Sequence, residues 1–226
     1  MEIDVAEAAK RLNVTGHEVR RLVRAGRLPA RRVGTALLID AEAVRLRMRI
    51  RPGRGRSLAP EMAWAVLWVM DGRDPSWLDP VHRSRARAWI RAHRNDQIEA
   101  LAGALNVRAH TERLRALPVH LEQIRYEEGL VVSGSEVLGR EQLLTGGEAE
   151  FYCDAHTRDY LVKRYGLREA DDVNLVLHVS RMPLIKLGIG ERMPEVIAAI
   201  DLLETKDSRG RAAGAKVLKA RLEKIR

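Results

Sequence analysis

One histidine and three arginines, His17, Arg20, Arg21 and Arg24, recur about one turn apart between Thr15 and Gly26. At 100° per residue they fall within an arc of about 100°, and Val19, Leu22 and Val23 occupy the opposite arc. One side of such a helix packs and the other presents positive charge, which suits a polyanionic partner. On an isolated helix the same arginines read equally well as a solvated face.

Other groups that could do chemistry are sparse. Cys153 and His156 have the spacing of half a zinc site, but two further ligands are not evident nearby, so they read as a buried small residue and a surface histidine. His178, in an apolar strand, reads as a satisfied core histidine before it reads as a general base. Asp201, Glu204 and Lys206 have the residue types of a metal-dependent nuclease, yet they fall at a helix end, where that chemistry needs strands meeting at a metal. Gly188 and Gly190 precede no Lys-Ser/Thr pair and Gly146-Gly147 stands alone, so no phosphate loop is expected. The expectation is therefore no catalytic residue, no metal site, no cofactor and no enzyme activity.

The elements that must position the basic helix are legible. Asp4 can cap a first helix whose Val5, Ala8, Ala9 and Leu12 follow the i, i+3, i+4, i+7 rule and which stops at Asn13. Thr15 to Glu18 has the form of a capping box, with Thr15 as N-cap and Glu18 reaching back; it starts a second helix that Gly26 ends. Two helices joined by about three residues make a helix-turn-helix. Residues 30–33 and 36–39 then read as short strands around a Gly34-Thr35 turn, a basic wing following a basic helix. Asp40 caps a third helix to about Met48, whose Val44 and Met48 can cover the core left open by the first two.

The charge distribution agrees with this reading. Residues 1–56 hold 14 Lys and Arg against 6 Asp and Glu, whereas residues 57–226 hold 26 against 25. Nearly all of the net charge of +9 thus sits in the first quarter, the footprint of a module that docks on a polyanion. The step divides the chain into residues 1–48, a basic linker at 49–56, and a larger part at 57–226. In the linker, four arginines, one proline and two glycines exclude a helix; it reads either as an arm that follows the minor groove or as a soluble spacer. A single cysteine excludes an internal disulfide and suits a reducing cytosol. The N-terminus shows no apolar signal core and the longest apolar run is far short of the roughly 20 residues of a bilayer span, so a cytoplasmic protein without membrane contact is expected.

The segments VAEAAKRLNVT, EVRRLVRAGRLPARRVG and LLIDAEAV resemble the winged helix-turn-helix of the MerR and excisionase class over about 40 residues. The resemblance implies that residues 16–25 enter the major groove with the wing beside them. It assigns DNA contact to Thr15, His17, Arg20, Arg21, Arg24, Arg27, Arg31 and Arg32. Thr35, Ala36 and Leu37 depart from the basic or aromatic residues of that class, which implies a weak contact at the wing tip.

The larger part reads as helix-rich with a small sheet, so the whole chain is expected to be mostly α with small β elements, an α+β fold. Helices are expected at 57–71, with Trp64 and Trp68 one turn apart, at 79–94 after the Asp79-Pro80 cap, and at 96–105, 118–126 and 155–165. Strands are expected at 130–132, around Phe151-Tyr152 and at 173–179. Two closing helices carry Val196, Ile197, Ile200 and Leu203, then Ala215, Leu218, Leu222 and Ile225, with Asp207-Ser208 as the cap between them. The basic side of residues 79–94 reads either as more DNA surface or as a solvated face. Segments such as LAPEMAWAVLWVMDG, WLDPVHRSRAR, VVSGSEVLG and AAIDLLETKDSRGRAAG resemble the C-terminal part of actinobacterial proteins grouped with AbiEi-type antitoxins. This implies an autorepressing antitoxin that neutralises a nucleotidyltransferase-like toxin. The expected function is a sequence-specific regulator of double-stranded DNA, paired or dimeric on an inverted repeat; an excisionase-like architectural protein is the alternative, with a metal-dependent nuclease behind it.

Overall fold

The structure is a computed structural model that describes residues 2–24, 28–49, 58–139, 148–170, 172–205 and 207–225. The linker at 50–56, Gly26, Arg27, Gly146, Gly147 and Lys206 lie outside the described residues, so their expected roles stay at the level of sequence.

The first part folds around its own core. Helix α1 (Val5–Leu12) starts where the Asp4 carboxylate accepts from the Glu7 N–H at 2.7 Å, and it stops at Asn13 in the left-handed conformation. Helix α2 (Gly16–Arg24) starts at Thr15, whose hydroxyl oxygen accepts from the Glu18 N–H at 3.2 Å. Only this half of the expected capping box forms, because the Glu18 carboxylate turns instead to Arg21. Strands β2 (Ala30–Val33) and β3 (Ala36–Asp40) pair antiparallel across a two-residue turn that needs the positive φ of Gly34. Helix α3 (Ala41–Arg49) follows, its Glu42 N–H bonded to the Asp40 side chain. Ala8, Leu12, Val19, Leu22, Leu28, Ile39 and Val44 make the core. Met48, expected to help cover it, is about half exposed. A strand absent from the sequence reading, β1 (Glu2–Ile3), lies on the free side of β3, giving the order β1-β3-β2.

The larger part is built on a five-stranded mixed sheet. Its strands are β4 (Ala109–Arg115), β5 (Val131–Val132), β6 (Ala149–Cys153), β7 (Arg168–Glu169) and β8 (Leu175–Ser180), in the order β5-β6-β8-β4-β7. Only β6 and β8 run parallel. On one face lie α4 (Pro60–Met70), α5 (Pro80–His93), α6 (Ile98–Leu105), α9 (Glu195–Leu203) and α10 (Ser208–Lys224), packed with Tyr152 and Val131. On the other face, α7 (Pro118–Ile124) and α8 (Ala155–Tyr165) cover Leu175, Leu177 and Phe151. The fold is α+β, as the patterning implies. Helix α4 starts three residues later than expected, because the residue before Pro60 is pushed into an extended conformation. Strand β4 escaped the sequence reading altogether: its residues, AHTERLR, are mostly polar and show none of the β-branched enrichment that marks a strand, yet it pairs with β8 along six residues. Among the described residues no helix is long and apolar enough to cross a membrane.

Candidate nucleic-acid interface

Packing fixes which side of α2 faces outward. Val19 and Leu22 are buried against α1 and Ile39, and His17, Arg20, Arg21 and Arg24 are all exposed. The histidine and three arginines proposed from spacing therefore do share one solvent-facing surface, with Thr15 at its N-terminal edge as the cap.

These groups are not electrostatically equivalent. Arg21 is clasped by Glu18, with Nε donating to Oε2 at 2.8 Å and Nη2 to Oε1 at 2.6 Å. That hydrogen bonding holds the Glu18 carboxyl below its ordinary pKa and the Arg21 guanidinium above its own. Among the described residues Arg20 and Arg24 have no carboxylate partner. Charge available to a polyanion is thus greatest at Arg20 and Arg24, while Arg21 is oriented.

The wing divides in the same way. Successive residues on a strand point to opposite faces, so Arg31 and Arg32 cannot act side by side. Arg32 shares the face of Ala30, which packs toward the helices, and is exposed near the hairpin tip. Arg31 lies on the other face and reaches across β3 to Glu2, with Nε and Nη2 donating to its two oxygens at 2.6 and 2.7 Å. The Arg31 guanidinium, by its hydrogen bonds, holds the Glu2 carboxyl below its usual range. Sequence reasoning missed this pair because Glu2 becomes a neighbour only once β1 docks on β3.

Residues 3–49 match the family model of a helix-turn-helix domain. The match takes in both helices, the hairpin and α3, so the N-terminal part of this chain is a helix-turn-helix domain. No curated protein and no solved structure matches the chain.

Beyond the helix-turn-helix domain, the structure assembles a buried polar cluster where the sheet meets α9. Arg108, only 2% exposed, donates from Nε to the Tyr152 hydroxyl at 2.8 Å, from Nη2 to Asp201, and from Nη1 to Glu204 at 3.3 Å. Asp201 also accepts from Tyr152 at 2.8 Å and from Ser133. His178 is hydrogen-bonded through Nε2 to Glu150 at 2.7 Å and through Nδ1 to Thr111 at 2.9 Å, and its ring stacks on Tyr152. Burial pulls the His178 pKa down, but the Asp201 charge and the Glu150 hydrogen bond outweigh it and leave His178 above its ordinary value. Burial likewise works against the Asp201 carboxylate, and the charges of His178 and Arg108 overcome it and hold its pKa low.

Glu150, His178 and Asp201 offer ligand atoms within 4.8 Å of one another, a spacing compatible with a metal ion. Asp201 accepts from Arg108, Tyr152 and Ser133, and His178 is bonded to Glu150 on one side and Thr111 on the other, so the cluster is a self-satisfied ion network. The nuclease-like carboxylates Asp201 and Glu204 are consumed in the same way, by Arg108 on the strand side. Cys153 is buried at the end of β6, where burial pushes its thiol up to about 12, and His156 is exposed on α8. Among the members that sequence missed, Arg108 is the central one. It sits in a short 3₁₀ turn before β4, and only its burial distinguishes it from the many other arginines.

Proposed function

We propose that the protein is a sequence-specific DNA-binding regulator whose helix α2 enters the major groove with the β2-β3 hairpin beside it. The observation that carries this reading is the exposed cationic face of α2, opposite its buried face, within a helix-turn-helix domain. A helix of this size contacts one half-site, so specific binding takes two copies on an inverted repeat. The larger part, with its near-neutral charge, serves partner binding. Its likeness to AbiEi-type antitoxins supports autorepression coupled to neutralising a nucleotidyltransferase-like toxin. The self-satisfied network around Arg108 supports a non-enzymatic role for this part.

The test is retardation of the protein's own upstream DNA. Replacing Arg20, Arg21 and Arg24 together with Ala is expected to abolish the specific complex. The wild-type affinity should fall with salt at a slope of about −0.9 per phosphate neutralised. Unchanged binding by the triple variant would overturn the reading.

A further inference from the structure

We propose that Glu18 is a positioning residue that presents Arg21 as the guanine reader of α2, leaving phosphate contact to Arg20 and Arg24. This rests on the DNA-binding reading above and adds a base and a division of labour to it.

The argument begins with the donor inventory of Arg21. A guanidinium carries five N–H groups in a planar fork. Glu18 takes the Nε–H and one Nη2–H at 2.8 and 2.6 Å, so one long edge of the fork is filled. The far end keeps a parallel pair of N–H groups, one on Nη1 and one on Nη2. Guanine presents two acceptors, O6 and N7, to such a pair in the major groove, whereas adenine places an N6–H₂ donor where O6 would be. An arginine fixed in this way therefore accepts G and rejects A.

The position of the pair suits base reading. Helical side chains lean toward the N-terminus, and Glu18, in the first turn, holds the Arg21 guanidinium beside that turn. It is the N-terminal residues of a recognition helix that meet base edges. The Arg21 side chain remains 61% exposed, so its free end is available to a ligand.

Charge separates this role from simple helix stabilisation. A carboxylate on a DNA-facing surface opposes the phosphates, so Glu18 lowers non-specific affinity. If it orients Arg21, it raises the ratio of specific to non-specific binding at the same time. A carboxylate acting only on helix stability or net charge would leave that ratio alone.

The experiment uses the full chain. A binding site is selected from random duplex DNA, each G·C pair in it is changed to A·T, and affinities for these and for unrelated DNA are measured at fixed salt. Glu18→Gln and Arg21→Lys are both expected to lower discrimination at the same G·C pair, by roughly ten- to hundredfold. Glu18→Gln should also tighten binding to unrelated DNA. Arg20→Ala and Arg24→Ala should weaken all sequences alike, each reducing the salt slope by about 0.9. Discrimination unchanged in Glu18→Gln, with all DNA bound more tightly, would show that Glu18 acts through charge alone and overturn the assignment. A wild-type protein that selects no site would remove the DNA-reading function itself, and this assignment with it.

Discussion

Replacing Arg108 with Met keeps the length of the buried stem and removes the only cation within hydrogen-bonding distance of the Asp201 and Glu204 carboxylates among the described residues. The guanidinium binds Tyr152, Asp201, Glu204 and the Leu105 carbonyl, and Asp201 is fully buried. Breaking a buried ion pair from one side costs about 3–5 kcal/mol, because the remaining charge must be protonated or left uncompensated. That is a large share of the roughly 5–15 kcal/mol that holds a domain folded. With a urea dependence of about 2 kcal/mol per M, the unfolding midpoint should fall by about 2 M. All four tryptophans, Trp64, Trp68, Trp77 and Trp89, lie in the larger part, so their fluorescence follows it without interference from the helix-turn-helix domain. Trp64 donates to the Arg108 carbonyl and packs edge-on to Tyr152, which places one reporter at the network itself. Asp201→Asn should also destabilise, and the double variant should lose less than the sum, since both changes remove the same contact. A shift for Arg108→Met below about 0.5 kcal/mol, the scale of an ordinary surface change, would refute the account of the network as a stability element.

His178 and Gly214 provide two further tests. Because the folded-state pKa of His178 is raised, its stabilising contribution is complete below the unfolded value of about 6.5 and is lost as pH rises through the folded value. Thermal unfolding should therefore show the advantage of wild type over His178→Gln shrinking from pH 6 toward pH 9; an advantage that grew over that range would contradict the sign. Gly214 in α10 lies so close to α9 that a Cβ would meet the Ala199 carbonyl oxygen at 2.3 Å. Gly214→Ala should cost about 1–3 kcal/mol in urea unfolding, despite the better helix propensity of Ala, and a neutral or stabilising result would show that the two helices can move apart.

Sequence alone determined the helix-turn-helix domain, because everything that specifies it is local: the caps at Asp4 and Thr15, the 3.6-residue periodicity, the Gly34 turn, and a charge excess confined to the first quarter of the chain. The same local signals placed α4, α5, α8, α9 and α10. Tertiary structure decided what locality cannot reach. Strand β4 is mostly polar, and it is a strand only because β8 and β7 supply its hydrogen bonds from about 60 residues away. Arg31 reads as a free cation until β1 brings Glu2 across the sheet, and the second arm of the capping box gave way to the stronger charge-assisted pair of Glu18 with Arg21. Asp201 and Glu204 read in sequence as charges at a helix end, and their buried partner Arg108, 93 and 96 residues earlier, comes into view only with the fold. Spacing along a chain reports which groups share a helix face. Whether a charged group faces solvent or another charge depends on segments brought together only by folding.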